Sequence, residues 1–314
     1  GIHLPRPAAF MGCTTSRDTV GDHVQIMPYF KLKEGKTMAE AEKLMDAFVK
    51  GVRGGTEKTL YYGFTVKGDD EFMCREGYRD AEGALAHLED VKEQRDQVAK
   101  ICEMTSLEIL GPAVELKKLE EPLKSLNAVY YPTYGENLSS LPLEGPVDTH
   151  VTLQAKFTVK EGKMEEFKKC SADCIAATRT KLIKYYGFYS RDNIVRSRKG
   201  YENADGVLAH IGDIGEPLGK MIELSELEVQ VHGTKEDIEK AREPVSKIVP
   251  QATFWVLREG AVTCAVDKKT EKKEKEAKKD EVPAAKDVAS KAQPEDAKEG
   301  GEAKEGGEEE EAAD

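Results

Sequence analysis

The sequence lacks several things that would have fixed its class at once. Among its 314 residues there is one tryptophan, and no apolar run approaches the roughly 18 residues that a membrane-crossing helix needs. No signal-peptide core is present either. Basic excess is missing: the formal net charge is -12, and no basic stripe is interleaved with aromatic residues, which argues against a nucleic-acid partner. The six cysteines, at 13, 74, 102, 170, 174 and 264, have no repeated spacing, so no disulfide framework is expected, and reduced thiols in the cytoplasm are. Cys170 and Cys174 stand one helical turn apart, but no second Cys or His pair lies at zinc-finger spacing, so no metal is expected. No glycine-rich phosphate loop follows a strand, and the cysteines and histidines do not recur together as a nucleophilic pair.

What is present is a repeat. Tyr61-Tyr62-Gly63-Phe64 returns as Tyr185-Tyr186-Gly187-Phe188. Gly77-Tyr78, Ala81, Gly83 and Leu85-Ala86-His87 return in order as Gly200-Tyr201, Ala204, Gly206 and Leu208-Ala209-His210. Leu107-Glu108 is matched with Leu227-Glu228, and Tyr130-Tyr131 with Phe254-Trp255. A unit of about 110 residues is domain-sized, too long for a solenoid repeat. The expected organisation is an amino-terminal segment 1–22, domains at 23–134 and 150–260, a Gly- and Pro-containing linker at 135–149, and a tail at 261–314. From Asp267 onward the tail holds 11 lysines against 17 acidic residues and no aromatic residue, a composition expected to stay disordered.

Within the first unit a strand from His23, a helix over about 37–52, a hairpin over 59–78 and a helix from Asp80 through Val91 follow from hydrophobic spacing and turn residues. A strand at Ser106–Leu110, a short helix through Leu119 and a strand at Ala128–Thr133 complete it. The second unit repeats the order. The fold class is therefore α+β, with two tandem ferredoxin-like β-α-β-β-α-β domains, each with an extra helix and strand. An antiparallel sheet with both helices on one face leaves the other face bare, and the second copy is the expected cover.

The Tyr-Tyr-Gly-Phe strand, followed by Arg-Glu-Gly-Tyr-x-x-Ala and a Leu-Ala-His-Leu helix, resembles the antibiotic biosynthesis monooxygenase family of the dimeric α+β barrel superfamily. The resemblance covers both units. It implies an intrachain pseudo-dimer around a barrel, and a cavity between sheet and helices in each half. It also implies cofactor-independent oxygenation of a phenolic or quinol substrate, with a small aromatic or quinone-like molecule as the partner. His87, His210, Tyr78 and Tyr201 are the catalytic candidates, with histidine as general base. Each histidine sits at the border of its helix's apolar stripe, where it can equally tie the helix to a loop. Tyr62, Tyr186, Arg75, Arg198 and Trp255 are the ligand-binding candidates. Strand parity separates Tyr62 and Tyr186 from Tyr61 and Tyr185, so one of each pair should be core and the other should face the cavity. Arg75-Glu76 becomes Arg198-Lys199, and a solvated strand edge is the expected setting for both pairs. The single Trp255 and the absence of a recurring Asn depart from the family's better-equipped oxygenases, above all in the first copy. A non-catalytic ligand-binding or scaffold module with the same fold is the rival reading.

Read from Met11, the sequence Met-Gly-Cys-Thr-Thr-Ser fits N-myristoylation at Gly12 with palmitoylation at Cys13. Two acyl chains would hold the protein on the cytosolic face of a membrane. If Met11 is internal, the match is chance.

Overall fold

The protein is described by a computed structural model over residues 22–54, 58–141, 143 and 145–263. Gly12, Cys13 and the tail beyond 263 lie outside the described residues. The first half contains β1 (Val24–Leu32), α1 (Met38–Gly54), β2 (Thr59–Lys67), β3 (Glu71–Tyr78), α2 (Ala81–Asp90), α3 (Lys92–Ile101), β4 (Cys102–Gly111), α4 (Ala113–Glu120) and β5 (Val129–Ser139). The second contains β6 (Val151–Val159), α5 (Met164–Ala177), β7 (Ile183–Arg191), β8 (Ile194–Tyr201), α6 (Ala204–Asp213), α7 (Gly215–Glu223), β9 (Ser225–Gly233), α8 (Lys235–Ile248) and β10 (Thr253–Leu257), followed by the short β11 (Val262–Thr263).

Local sequence explains the boundaries. The β2–β3 hairpin turns at Gly68, whose φ of 62° needs no side chain, while the β7–β8 hairpin uses Asp192 at 54°, a residue type that tolerates this region. Asp80 caps α2 by accepting from the Gly83 amide at 2.8 Å, and Asn203 caps α6 from Gly206 at 3.2 Å. The single helix expected from Asp80 through Val91 is followed by a second. Val91 and Ile214 leave helical geometry with φ near -105° and separate α2 from α3 and α6 from α7. Both side chains are buried. The bend turns the next helix's apolar stripe back onto the sheet.

Ten strands close into a barrel. The order is β5-β4-β1-β3-β2 in the first half and β10-β9-β6-β8-β7 in the second. The halves join twice: β5 pairs antiparallel with β7 through Tyr134 and Phe188, and β10 pairs with β2 through Leu257 and Thr65. β5 runs to Ser139, six residues past its expected end, because those residues bond to β7.

Closure gives the barrel strands an inner face largely shielded from solvent and an outer face beneath helices. Inside, the rings of Tyr61 and Tyr185 stack at 5.7 Å between His23 and His150. Arg75 pairs with Asp148 at 2.9 Å and donates to the His150 carbonyl and Thr152 hydroxyl, both at 2.7 Å. On the outer face each half has its own apolar core under its helices. Cys74, Cys102, Cys170 and Cys174 are free and buried. Among the described residues no helix is long and apolar enough to cross a membrane, and no cluster of three His, Cys, Asp or Glu residues could hold a metal ion.

Candidate functional site

Alternation along β3 sends Met73, Arg75 and Gly77 into the barrel and Phe72, Cys74, Glu76 and Tyr78 beneath the helices. Between that outer face and helices α1 to α3 lies a cavity of about 320 Å³, within the range of small-molecule sites. Phe48, Tyr62, Phe64, Phe72 and Val98 make its walls largely apolar and aromatic. Its lining also includes the buried Glu76 and His87, the half-buried Arg95 and the exposed Asp96.

Glu76 is only 5% exposed. Burial pushes its carboxyl up to about 7, against the opposing pull of the Tyr78 hydroxyl, Cys74 and the Arg95 charge. The Tyr78 hydroxyl donates to it at 2.8 Å. His87 is also buried, with ring centroids 4.9 Å from Tyr62 and 5.5 Å from Tyr78. Burial first and the Arg95 charge second hold its imidazole down to about 4, so it is neutral at pH 7. Among the described residues no hydrogen bond engages its ring nitrogens. The site thus joins a carboxyl that titrates near neutrality to an uncommitted neutral imidazole, inside an apolar chamber.

The same framework in the second half encloses about 40 Å³, room for about one water. Lys199 takes the place of Glu76, opposite Leu153 and Tyr186 as Glu76 is opposite Ile26 and Tyr62. Burial lowers its ammonium to about 8, and its Nζ lies 5.0 Å over the Tyr186 ring. A lysine offers no acceptor to the tyrosine beside it. The Tyr201 hydroxyl therefore bonds His210 Nδ1 at 2.6 Å, while Thr178 Oγ1 meets Nε2 at 3.0 Å. Both ring nitrogens of His210 are occupied by the fold. Tyr134, reaching across from β5, leans its ring on Phe188 and donates to Ser171 at 3.1 Å.

His87 and Tyr62 line the first cavity, and Tyr78 reaches it through its bond to Glu76. His210 and Tyr201 line the second, with Tyr186 packed against them. Arg75 and Arg198 are on the opposite strand face, buried in the barrel, where Arg198 touches the Met27 sulfur. Trp255 stacks on His232 at 5.5 Å and borders a separate recess of about 230 Å³ with Tyr29, Glu108 and Arg196. These three residues do not line the cavities that hold the histidines. The solvated edge expected for Arg75-Glu76 and Arg198-Lys199 does not occur: β3 and β8 each have a strand neighbour on both sides, and all four side chains are buried. Sequence reasoning set aside Glu76 and passed over Arg95. The reversal from Glu76 to Lys199 on a face shared with Phe72 and Tyr78 was the signal for the first.

No protein-family model matches the chain, and no curated protein does. Among solved structures the chain is similar to MupZ from Pseudomonas fluorescens, with 30% identity, 39% of this chain and 98% of that chain covered, and a TM-score of 0.35. A candidate monooxygenase from Fusobacterium nucleatum matches at 11% identity over 67% of this chain and 90% of its own, with a TM-score of 0.49. An anthrone oxidase-like protein matches at 13% identity over 66% and 89%, with a TM-score of 0.38.

Proposed function

We propose that the chain, whose ten strands close into a barrel, is of the dimeric α+β barrel superfamily, that its first cavity takes a small aromatic molecule of the phenol, quinol or anthrone class and that Glu76 removes a proton from it. The observation that carries this reading is the buried Glu76 carboxyl, titrating at about 7 in an apolar chamber of about 320 Å³. A general base works best when its pKa lies near the working pH, and an apolar wall keeps water from competing for the proton. Neutral His87, held between Tyr62 and Tyr78, is placed to donate a hydrogen bond to the oxyanion that forms.

The reaction is monooxygenation of the antibiotic biosynthesis monooxygenase type. Loss of the proton leaves an electron-rich anion that reduces dioxygen. For a ring CH₂ group the balance is one oxygen atom entering as a carbonyl and the other leaving as water with the two hydrogens. The two halves act as tandem ferredoxin-like domains, 23–134 and 150–260, forming an intrachain pseudo-dimer in which the second half is the structural partner. Attachment to the cytosolic face of a membrane rests on Gly12 and Cys13 alone, and the intact mass of the protein isolated from its own cells tests it.

The catalytic reading is tested by oxygen uptake of the full chain, after metal chelation, with a panel of hydroquinones and anthrones, beside Glu76→Gln. Saturable uptake that falls by about 100-fold or more in the variant supports it. Uptake unchanged in Glu76→Gln removes Glu76 as base. Ligand binding with no uptake for any compound favours the non-catalytic binding module.

A further inference from the structure

We infer that the first cavity selects aromatic ligands that carry a carboxylate, and that Arg95 is the residue that reads the charge. The inference rests on the reading above, that this cavity holds a small aromatic molecule.

The row that α3 and its two flanking residues turn toward the sheet runs Val91, Arg95, Val98 and Cys102, at spacings of four, three and four. In the second half the same positions are Ile214, Leu218, Met221 and Ser225. A guanidinium therefore stands in a row where leucine serves the other half. It is half-buried and lines the cavity. Among the described residues its guanidinium has one close polar contact, the Leu88 carbonyl at 3.5 Å, at the limit of a hydrogen bond. Although Glu76 and the exposed Asp96 line the same cavity, Arg95 forms no ion pair with any carboxylate among the described residues. Its charge nevertheless reaches inward, drawing down the pKa of both Glu76 and His87.

An arginine has five N–H donors in a planar fork, and desolvating them without acceptors is costly. A carboxylate fits that fork with two parallel hydrogen bonds, while a flat ring fills the space between Phe48, Phe64 and Phe72. An anion placed against ionised Glu76 would be repelled. The ligand's carboxylate therefore belongs at the Arg95 end, and its acidic C–H or O–H at the Glu76 end. The chemistry that satisfies both ends is an aromatic acid with a hydroxyl or activated methylene on the far side of the ring.

The test uses the full chain and three probes of one shape: 2-naphthoate, the neutral 2-acetonaphthone and the cationic 2-(aminomethyl)naphthalene. Binding is read by calorimetry, with displacement of neutral N-phenyl-1-naphthylamine as a second readout. Naphthoate should bind about 10-fold or more tightly than the ketone, with the amine weakest. Arg95→Leu, which installs the second half's residue, should bring acid and ketone within about twofold while leaving ketone affinity intact, and Arg95→Lys should keep part of the preference. Unaltered ketone binding shows that the variant is folded. Equal binding of acid and ketone by the unaltered protein, or a preference that survives Arg95→Leu, overturns the inference and leaves the aromatic cavity standing. Failure of all the probes to bind sinks both.

Discussion

Glu76 and Lys199 stand at one register position in two copies of one framework, with a tyrosine two residues on and a histidine above. In the first half the carboxylate takes the tyrosine hydroxyl, and the histidine keeps its nitrogens for a chamber of about 320 Å³. In the second the lysine cannot accept, the hydroxyl moves to the histidine, and only about 40 Å³ is left. One exchanged side chain accounts for the change of hydrogen-bond partner. Leu218, where the first half has Arg95, also lines the smaller volume. The two halves thus share a framework and differ in the volume and polarity of their pockets.

The sharpest way to break this comparison is to neutralise each charged residue in turn. Glu76→Gln should lower kcat for oxygen uptake by about 10²- to 10⁴-fold, while Lys199→Gln changes it less than about twofold. Equal losses would mean that both pockets work. Next in size is the barrel interior, which the halves share: Asp148→Asn leaves Arg75 buried without its counter-charge, and urea unfolding should show a loss of about 3 to 5 kcal/mol. The histidines should then separate. His210→Ala strands the Tyr201 hydroxyl and should cost about 1 to 2 kcal/mol more stability than His87→Ala, which breaks no hydrogen bond. A reversed order would make His87 the structural residue.

The smallest effect is in the pH dependence of stability, where the signs oppose. Glu76 has a raised folded pKa, so its contribution is full below about 4.5 and is lost as pH rises to about 7. Lys199 has a lowered one, so its contribution is full above about 10.5 and is lost as pH falls to about 8. Each group sets a slope of at most about 1.4 kcal/mol per pH unit in its own window. Glu76→Gln should remove the acid-side slope alone, and Lys199→Gln the alkaline one, in denaturant midpoints measured from pH 4 to 10.5. A variant that flattens the wrong window would contradict the burial of these groups.

Periodicity made the elements legible, and the parity of Tyr61-Tyr62 divided barrel from cavity as alternation requires. Burial of the Arg75-Glu76 pair was not legible, because a strand read alone shows neither its neighbours nor the closure that covers both its faces. The helix break at Val91 also escaped, since Leu88 and Val91 continue the stripe of α2 without interruption. The pairing of Leu107-Glu108 with Leu227-Glu228 is off by two: Leu107 lies opposite Pro28, and its counterpart opposite Ala155 is Val229. The one-residue bulge between Tyr29 and Phe30 does not account for that offset; a two-residue match is too short to fix a register. Arg95 was readable as a charge inside an apolar row, but only once α3 was known to be a separate helix.

Because β5 and β10 carry each half into the sheet of the other within one polypeptide, the barrel forms with no association step. In a barrel made from two identical chains, any change of one codon appears in both pockets together, and a residue useful in one must be tolerated in the other. Joining the copies lifts that restriction. A carboxylate can be tried on one side while its twin becomes a lysine, and dilution cannot separate the two halves.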